Sequence, residues 1–97
     1  MTDRQILRVI GDNVRKARDR ANLTQECLAE LIDVHWQTVS YIEKGKFPFG
    51  VTHFVRISQA LDISANRLLD GLPEADKRQM EKIKKAMARK RKVKQGN

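Results

Sequence analysis

At 97 residues the chain has room for one domain and not for two. With 40% of its residues apolar, 33% charged and only five aromatic, it can bury one modest core, which excludes a deep substrate cavity and favours a small binding module. The net charge of +8 is uneven: residues 1–73 hold ten Lys/Arg against nine Asp/Glu and residues 74–97 ten against three, so a near-neutral body precedes a cationic end.

Apolar residues recur only at helical spacing, so the fold is expected to be all α. Thr2 and Gln5 form a capping box, and Ile6, Ile10, Val14, Ala17 and Ala21 share a face, predicting a first helix over about residues 3–21 that Asn22 ends. Thr24 caps a short second helix ending near Ile32, with Leu23 and Leu28 at the two positions of a hydrophobic staple. The staple spacing recurs. Val34 and Val39 bracket a cap at His35, opening a helix from Trp36 to about Lys44 that Gly45 terminates, and Ile63 and Leu68 bracket Ser64. Between them Gly50 caps a helix expected to turn Val51, Phe54, Val55, Ser58 and Leu61 inward, entered through the irregular Lys46-Phe-Pro-Phe-Gly50.

Five helices result over residues 1–73, with Gly71-Leu-Pro73 as the boundary of the domain. Beyond it Met80, Ile83 and Met87 keep helical spacing, predicting a sixth helix over about residues 74–88. From Arg89 no apolar stripe survives, so the C-terminal extension, residues 74–97, is expected to be part helical and part disordered. Its charge suits a polyanion, either nucleic acid or an anionic membrane surface, or else serves solubility alone.

Two short helices between Thr24 and Gly45 are joined by only Asp33-Val34-His35, which forces a steep crossing with a small residue, Ala29, at the contact. This is a helix-turn-helix arrangement. Its turn requires φ > 0, where glycine is easiest and Asp33 a strained substitute. The residues Leu23-Thr-Gln-Glu-Cys-Leu-Ala-Glu-Leu-Ile-Asp-Val-His-Trp-Gln-Thr-Val-Ser-Tyr-Ile-Glu-Lys-Gly45 resemble the phage-repressor and Cro type of helix-turn-helix domain, the Xre family. The likeness runs without a gap from about Ile10 to Gly45 and, with one extra residue near Phe47 to Gly50, on to about Leu69. It rests on Thr-Gln-x-x-Leu-Ala followed at fixed distance by Ile-Glu-x-Gly.

The resemblance implies a repressor-like five-helix bundle that binds double-stranded DNA, with the second helix across the backbone and the third in the major groove. Val39 and Ile42 occupy the third helix's inner face, leaving His35, Trp36, Gln37, Ser40 and Tyr41 to reach base edges. Gln37 suits adenine, because an amide donates and accepts at once. Phosphate contacts are implied for Thr24, Gln25, Lys44, Lys46 and the backbone near Phe49. Arg18 and Glu43 match positions that pair to hold the third helix at a fixed angle, whereas Glu26 serves the helix dipole. Half-sites one turn apart, ~34 Å, imply a homodimer. Ile63, Leu69, Leu72 and the Met80, Ile83, Met87 stripe are its candidate surface, unless they complete the monomer core.

Other chemistry has little support. His35, His53 and Cys27 lack ligand spacing, no catalytic triad, carboxylate pair or phosphate loop can be assembled, and no cofactor or small-molecule ligand is implied. An enzyme is therefore not expected. Cys27, the single cysteine, forbids an internal disulfide and fits a reducing compartment. No run reaches the ~18 apolar residues of a membrane span, and the resemblance implies a cytoplasmic protein. The remaining alternatives are a basic adaptor that binds RNA or a protein partner, the latter through Trp36 and Tyr41, and a regulator within a toxin–antitoxin or restriction-control operon.

Overall fold

Thr2 opens the first helix through a reciprocal pair of bonds, its Oγ1 accepting from Gln5 N–H at 3.2 Å and its own N–H donating to Gln5 Oε1 at 2.9 Å. The computed structural model describes residues 1–46, 48–73, 82 and 84–88, and every regular element among them is helical. These are α1 (Asp3–Arg20), α2 (Gln25–Leu31), α3 (Trp36–Glu43), α4 (Val51–Ala60) and α5 (Ala65–Leu68). Residues 82 and 84–88 are helical as well; the rest of the expected sixth helix and the tail from residue 89 lie outside the described residues. No helix among the described residues is long and apolar enough to cross a membrane.

The first four helices end the same way. Leu23 N–H donates to Arg18 O and Asn22 N–H to Asp19 O; Val34 to Ala29 and Asp33 to Glu30; Lys46 to Tyr41 and Gly45 to Ile42; Ile63 to Ser58 and Asp62 to Gln59. Each pair is a Schellman motif, closing two orphan carbonyls around one left-handed residue. Those residues are Asn22, Asp33, Gly45 and Asp62, with φ of 57°, 60°, 66° and 51°. Asp33 thus does adopt the conformation that the turn requires, at the strain expected of a residue with a Cβ.

The residue after each left-handed position sets the path of the chain into the next element. Leu23, Val34 and Ile63 are apolar, and each precedes the N-cap of the next helix, Thr24, His35 and Ser64. Each thus occupies both the position that closes one Schellman motif and the staple position before the next cap, and all three pack on the core. After α3 the same place is taken by the exposed Lys46, and the described residues before α4, Pro48 to Gly50, form no regular element.

The core gathers around Val14, Leu28, Ile32, Val39, Ile42, Ile57 and Leu68, all fully buried, with the small Ala17 and Ala29 where helices approach. Burial of side chains of this size contributes about 1.5–3 kcal/mol apiece. α2 packs on α3, and α1 lies across α3 and α5. The four-residue α5 is too short to persist alone. Leu68 anchors it from within, and Asn13 Nδ2 donates to Leu68 O at 2.9 Å and to Asp70 O at 2.8 Å at its end.

α4 is rotated from the expected setting. Val51 and Val55 are 79% and 45% exposed, whereas Ile57 is buried beside Leu61, with Phe54 and Ser58 half-buried. The row Phe54, Ile57, Leu61 is as regular as the row Val51, Val55, Ser58, and it buries larger side chains. In α1, Ala21 is the exposed C-cap rather than part of the inner stripe.

Candidate nucleic-acid interface

The outer face of α3 is available because its other side is clamped by α1. Arg18, on α1, meets Glu43, the last residue of α3, through two parallel bonds: Nε to Oε2 at 2.7 Å and Nη2 to Oε1 at 3.0 Å. The two side chains are 13% and 3% exposed, so the pair is largely withdrawn from water. Bidentate geometry of this kind fixes orientation as well as distance. The Glu43 carboxylate holds the Arg18 guanidinium above its ordinary pKa, outweighing the opposite effect of burial. Arg18 Nη1 also donates to Leu23 O at 2.7 Å, tying the same guanidinium to the turn before α2.

A second clamp involves backbone alone. A Cβ added at Gly11 would overlap the carbonyl oxygen of Ile42 and lie 2.8 Å from that of Glu43. One at Gly45 would come within 2.8 Å of the Arg8 backbone, besides requiring φ of +66°. Two glycines thus let α1 lie directly against the end of α3. Reading the sequence missed Gly11, whose only trace there is a poor helix former inside an otherwise strong helix.

With Val39, Ile42 and Glu43 buried, α3 turns the opposite flank outward. Trp36 and Tyr41 are 44% and 46% exposed, His35 and Gln37 are exposed, and Ser40 is half-buried on the same side. His35 caps the helix, its Nδ1 accepting from Gln37 N–H at 3.3 Å. Its ring lies beside that of Trp36, with centroids 5.8 Å apart and planes inclined by 34°.

The flanking residues differ in what they have left to offer a ligand. Thr24 Oγ1 caps α2 by accepting from Cys27 N–H at 3.1 Å, so its hydroxyl proton is still available for donation. Gln25 is half-buried, and its Nε2 donates to Glu43 Oε1 at 3.2 Å; part of the amide predicted to meet phosphate is committed to the clamp. Sequence spacing gave no sign of that link. Lys44 and Lys46 are exposed. Phe49 is half-buried and stacks on Phe54 at 6.5 Å, which leaves its backbone rather than its ring for an outside partner. α4 starts at Gly50 with no side-chain cap, unlike α1, α2 and α3.

Away from this face, Ile63 packs on the core, Leu72 is half-buried, and Leu69 and Met87 are 39% and 56% exposed. Met80 and Ile83 lie outside the described residues. The exposed Cys27 is a free thiol. An open groove of about 530 Å³ runs between α1 and the α4–α5 turn, bordered by Lys16, Arg20 and Arg67 over a floor of Ala17, Leu61 and Ile63. No residue of α2 or α3 lines this groove, and no pocket was expected from the sequence.

A helix-turn-helix family model matches residues 14–68, more than half of the chain. An uncharacterized HTH-type transcriptional regulator of Rickettsia prowazekii (strain Madrid E), RP497, is 36% identical over 70 residues, covering 72% of this chain and 54% of that protein. Another, y4aM of Sinorhizobium fredii (strain NBRC 101917 / NGR234), is 31% identical over 65 residues, covering 67% of this chain and 46% of that protein. The chain spans about half the length of these curated relatives. Among solved structures, the restriction-modification controller protein C.AhdI from Aeromonas hydrophila superposes with a TM-score of 0.62 at 29% identity, over 64% of this chain and 94% of that one. The clamped α2–α3 unit and these likenesses agree: the chain belongs to the Xre/Cro-like helix-turn-helix family of transcriptional regulators.

Proposed function

We propose that this protein binds double-stranded DNA sequence-specifically as a homodimeric transcriptional regulator, with α3 seated in the major groove. One observation carries the reading: α3 is buried along Val39, Ile42 and Glu43 while His35, Trp36, Gln37, Ser40 and Tyr41 stand on its open flank. An α-helix fits the ~12 Å groove, and a helix held at both a bidentate ion pair and a glycine contact presents its side chains at a constant angle. Gln37 reads a base, with adenine as its best partner, because its side chain can donate to N7 and accept from N6.

The phosphates on one side meet Thr24, through its remaining proton, and the uncommitted part of the Gln25 amide. Those on the other side meet Lys44, Lys46 and the backbone between Phe49 and Val51. A phosphate oxygen there supplies the acceptor that the Gly50 cap lacks. These contacts set register and carry no sequence information. The exposed Leu69, with Leu72 and Met87, supplies the dimer surface, since one α3 cannot span two half-sites ~34 Å apart.

Selection of bound sites from a random duplex pool tests this reading. An inverted repeat with half-sites about one turn apart is expected, together with a large ratio of specific to random binding that collapses in Gln37→Ala. A small ratio with a steep salt dependence would instead favour a basic adaptor driven by the C-terminal charge. A restriction-control setting draws support from the coverage of nearly the whole of C.AhdI. Sites selected upstream of the protein's own operon would bear that out.

A further inference from the structure

Resting on the DNA reading above, we infer that the start of α3 is a donor-only surface, built to face hydrogen-bond acceptors, and that His35 directs each half-site towards guanine. The cap carries the inference. His35 Nδ1 accepts from Gln37 N–H at 3.3 Å, so it must hold a lone pair, and the proton of the neutral ring sits on Nε2. Nε2 is across the ring from the capped backbone, and the side chain is exposed. The bond that starts the helix therefore also selects the tautomer and turns a donor away from the helix.

Trp36, the next residue, has the same polarity. Its indole offers only Nε1–H, it is 44% exposed, and its ring centroid lies 5.8 Å from that of His35. Two neighbouring rings thus offer donors and no acceptor. In the major groove guanine alone presents two adjacent acceptors, N7 and O6, whereas cytosine presents a donor that would oppose them. Gln37, which both donates and accepts, comes immediately after, so the hydrogen-bond polarity of the reading face changes along its length. Phosphate oxygens are the other acceptors within the chemistry of a duplex, and the experiment separates the two.

The tautomer is measured without DNA, from long-range nitrogen–proton correlations of the His35 ring at neutral pH. Protonated Nε2 and bare Nδ1 are expected, and the reverse pattern overturns the proposal while leaving the DNA reading intact. Binding is then compared for His35→Ser, which keeps a capping oxygen and removes the ring donor. On the selected site His35→Ser is expected to lose about tenfold in affinity with an unchanged melting temperature. Replacing one guanine per half-site by 7-deazaguanine should weaken the wild type by a similar factor and leave His35→Ser indifferent. A penalty produced only by a methylphosphonate in the backbone overturns the assignment to guanine, and equal binding by His35→Ser overturns the donor role. A protein that selects no duplex defeats the proposed function and this use of the donor with it, whatever the tautomer.

Discussion

Glu43 shows how much one side chain can organise. It accepts from Arg18 twice and from Gln25 once, and so joins α1, α2 and the end of α3. Its removal in Glu43→Ala leaves the Arg18 guanidinium in a largely dry position with only Asp19 and the Leu23 carbonyl for company. Breaking such a pair costs about 3–5 kcal/mol, and the remaining exposure of Arg18 places this case at the lower end. Urea unfolding followed by circular dichroism should show that loss. At Gly11 two effects compete. Alanine improves helix propensity by about 1 kcal/mol, but the new methyl overlaps main-chain atoms of Ile42 and Glu43 that no rotamer change can move. Overlap with rigid backbone wins, so Gly11→Ala is expected to lower stability by about 1–3 kcal/mol and to weaken DNA binding by tilting α3. Equal stability of Gly11→Ala and wild type would show that α1 can slide away without cost.

For whole helices, a cap and a proposed phosphate contact coincide at Thr24 at the start of α2, and two substitutions of that residue separate them. Thr24→Ala removes the acceptor for Cys27 N–H and should cost about 1 kcal/mol in unfolding free energy as well as DNA affinity. Thr24→Asp keeps a capping oxygen, so stability should hold within about 0.5 kcal/mol while the added carboxylate, placed where a phosphate is proposed to bind, lowers affinity. Within α1, Asp12 pairs with Lys16 at 3.0 Å and Arg15 at 2.9 Å. Hydrogen bonds from Lys16 and then Arg15 lower the Asp12 pKa below its ordinary value of 3.8. A lowered folded-state pKa contributes stability that is present above 3.8 and is lost as the pH falls through the lower value. The melting temperatures of wild type and Asp12→Asn should therefore differ at neutral pH and converge in acid. Helix boundaries, caps and the left-handed Asp33 were legible in the sequence, because each depends on residues a few positions apart. The rotation of α4 was not. Its apolar residues run almost all round the helix, and the choice between Val55 and Ile57 depends on the entry segment and on the shape of the core. Gly11 and the Gln25 bond were hidden for a related reason, since both are contacts between elements distant in sequence.

For the whole molecule, charge and contact are distributed differently. The body, nearly neutral over residues 1–73, carries α3, whereas the excess charge comes after it in the chain. Deletion of residues 89–97 removes five Lys/Arg. If they pair with phosphates, the slope of log affinity against log salt should become shallower by up to about four, with base preference and melting temperature unchanged. An unaltered slope would assign the whole electrostatic footprint to residues 1–88.

The doubly used apolar residues of the turns bear on how such a chain can change length. Leu23, Val34 and Ile63 each bond back to the helix just left and directly precede the cap of the next, so the connectors around them have no slack. A glycine inserted after Asp33 would pull the staple of α3 out of phase with the end of α2 and unseat both helices together. After α3 the corresponding place is held by the exposed Lys46, and an insertion between it and Gly50 lengthens a span whose described residues form no regular element. Tolerance to indels is therefore concentrated on one shoulder of α3, where, on the function proposed above, added residues would reshape the grip on the sugar–phosphate strand and leave the choice of bases untouched.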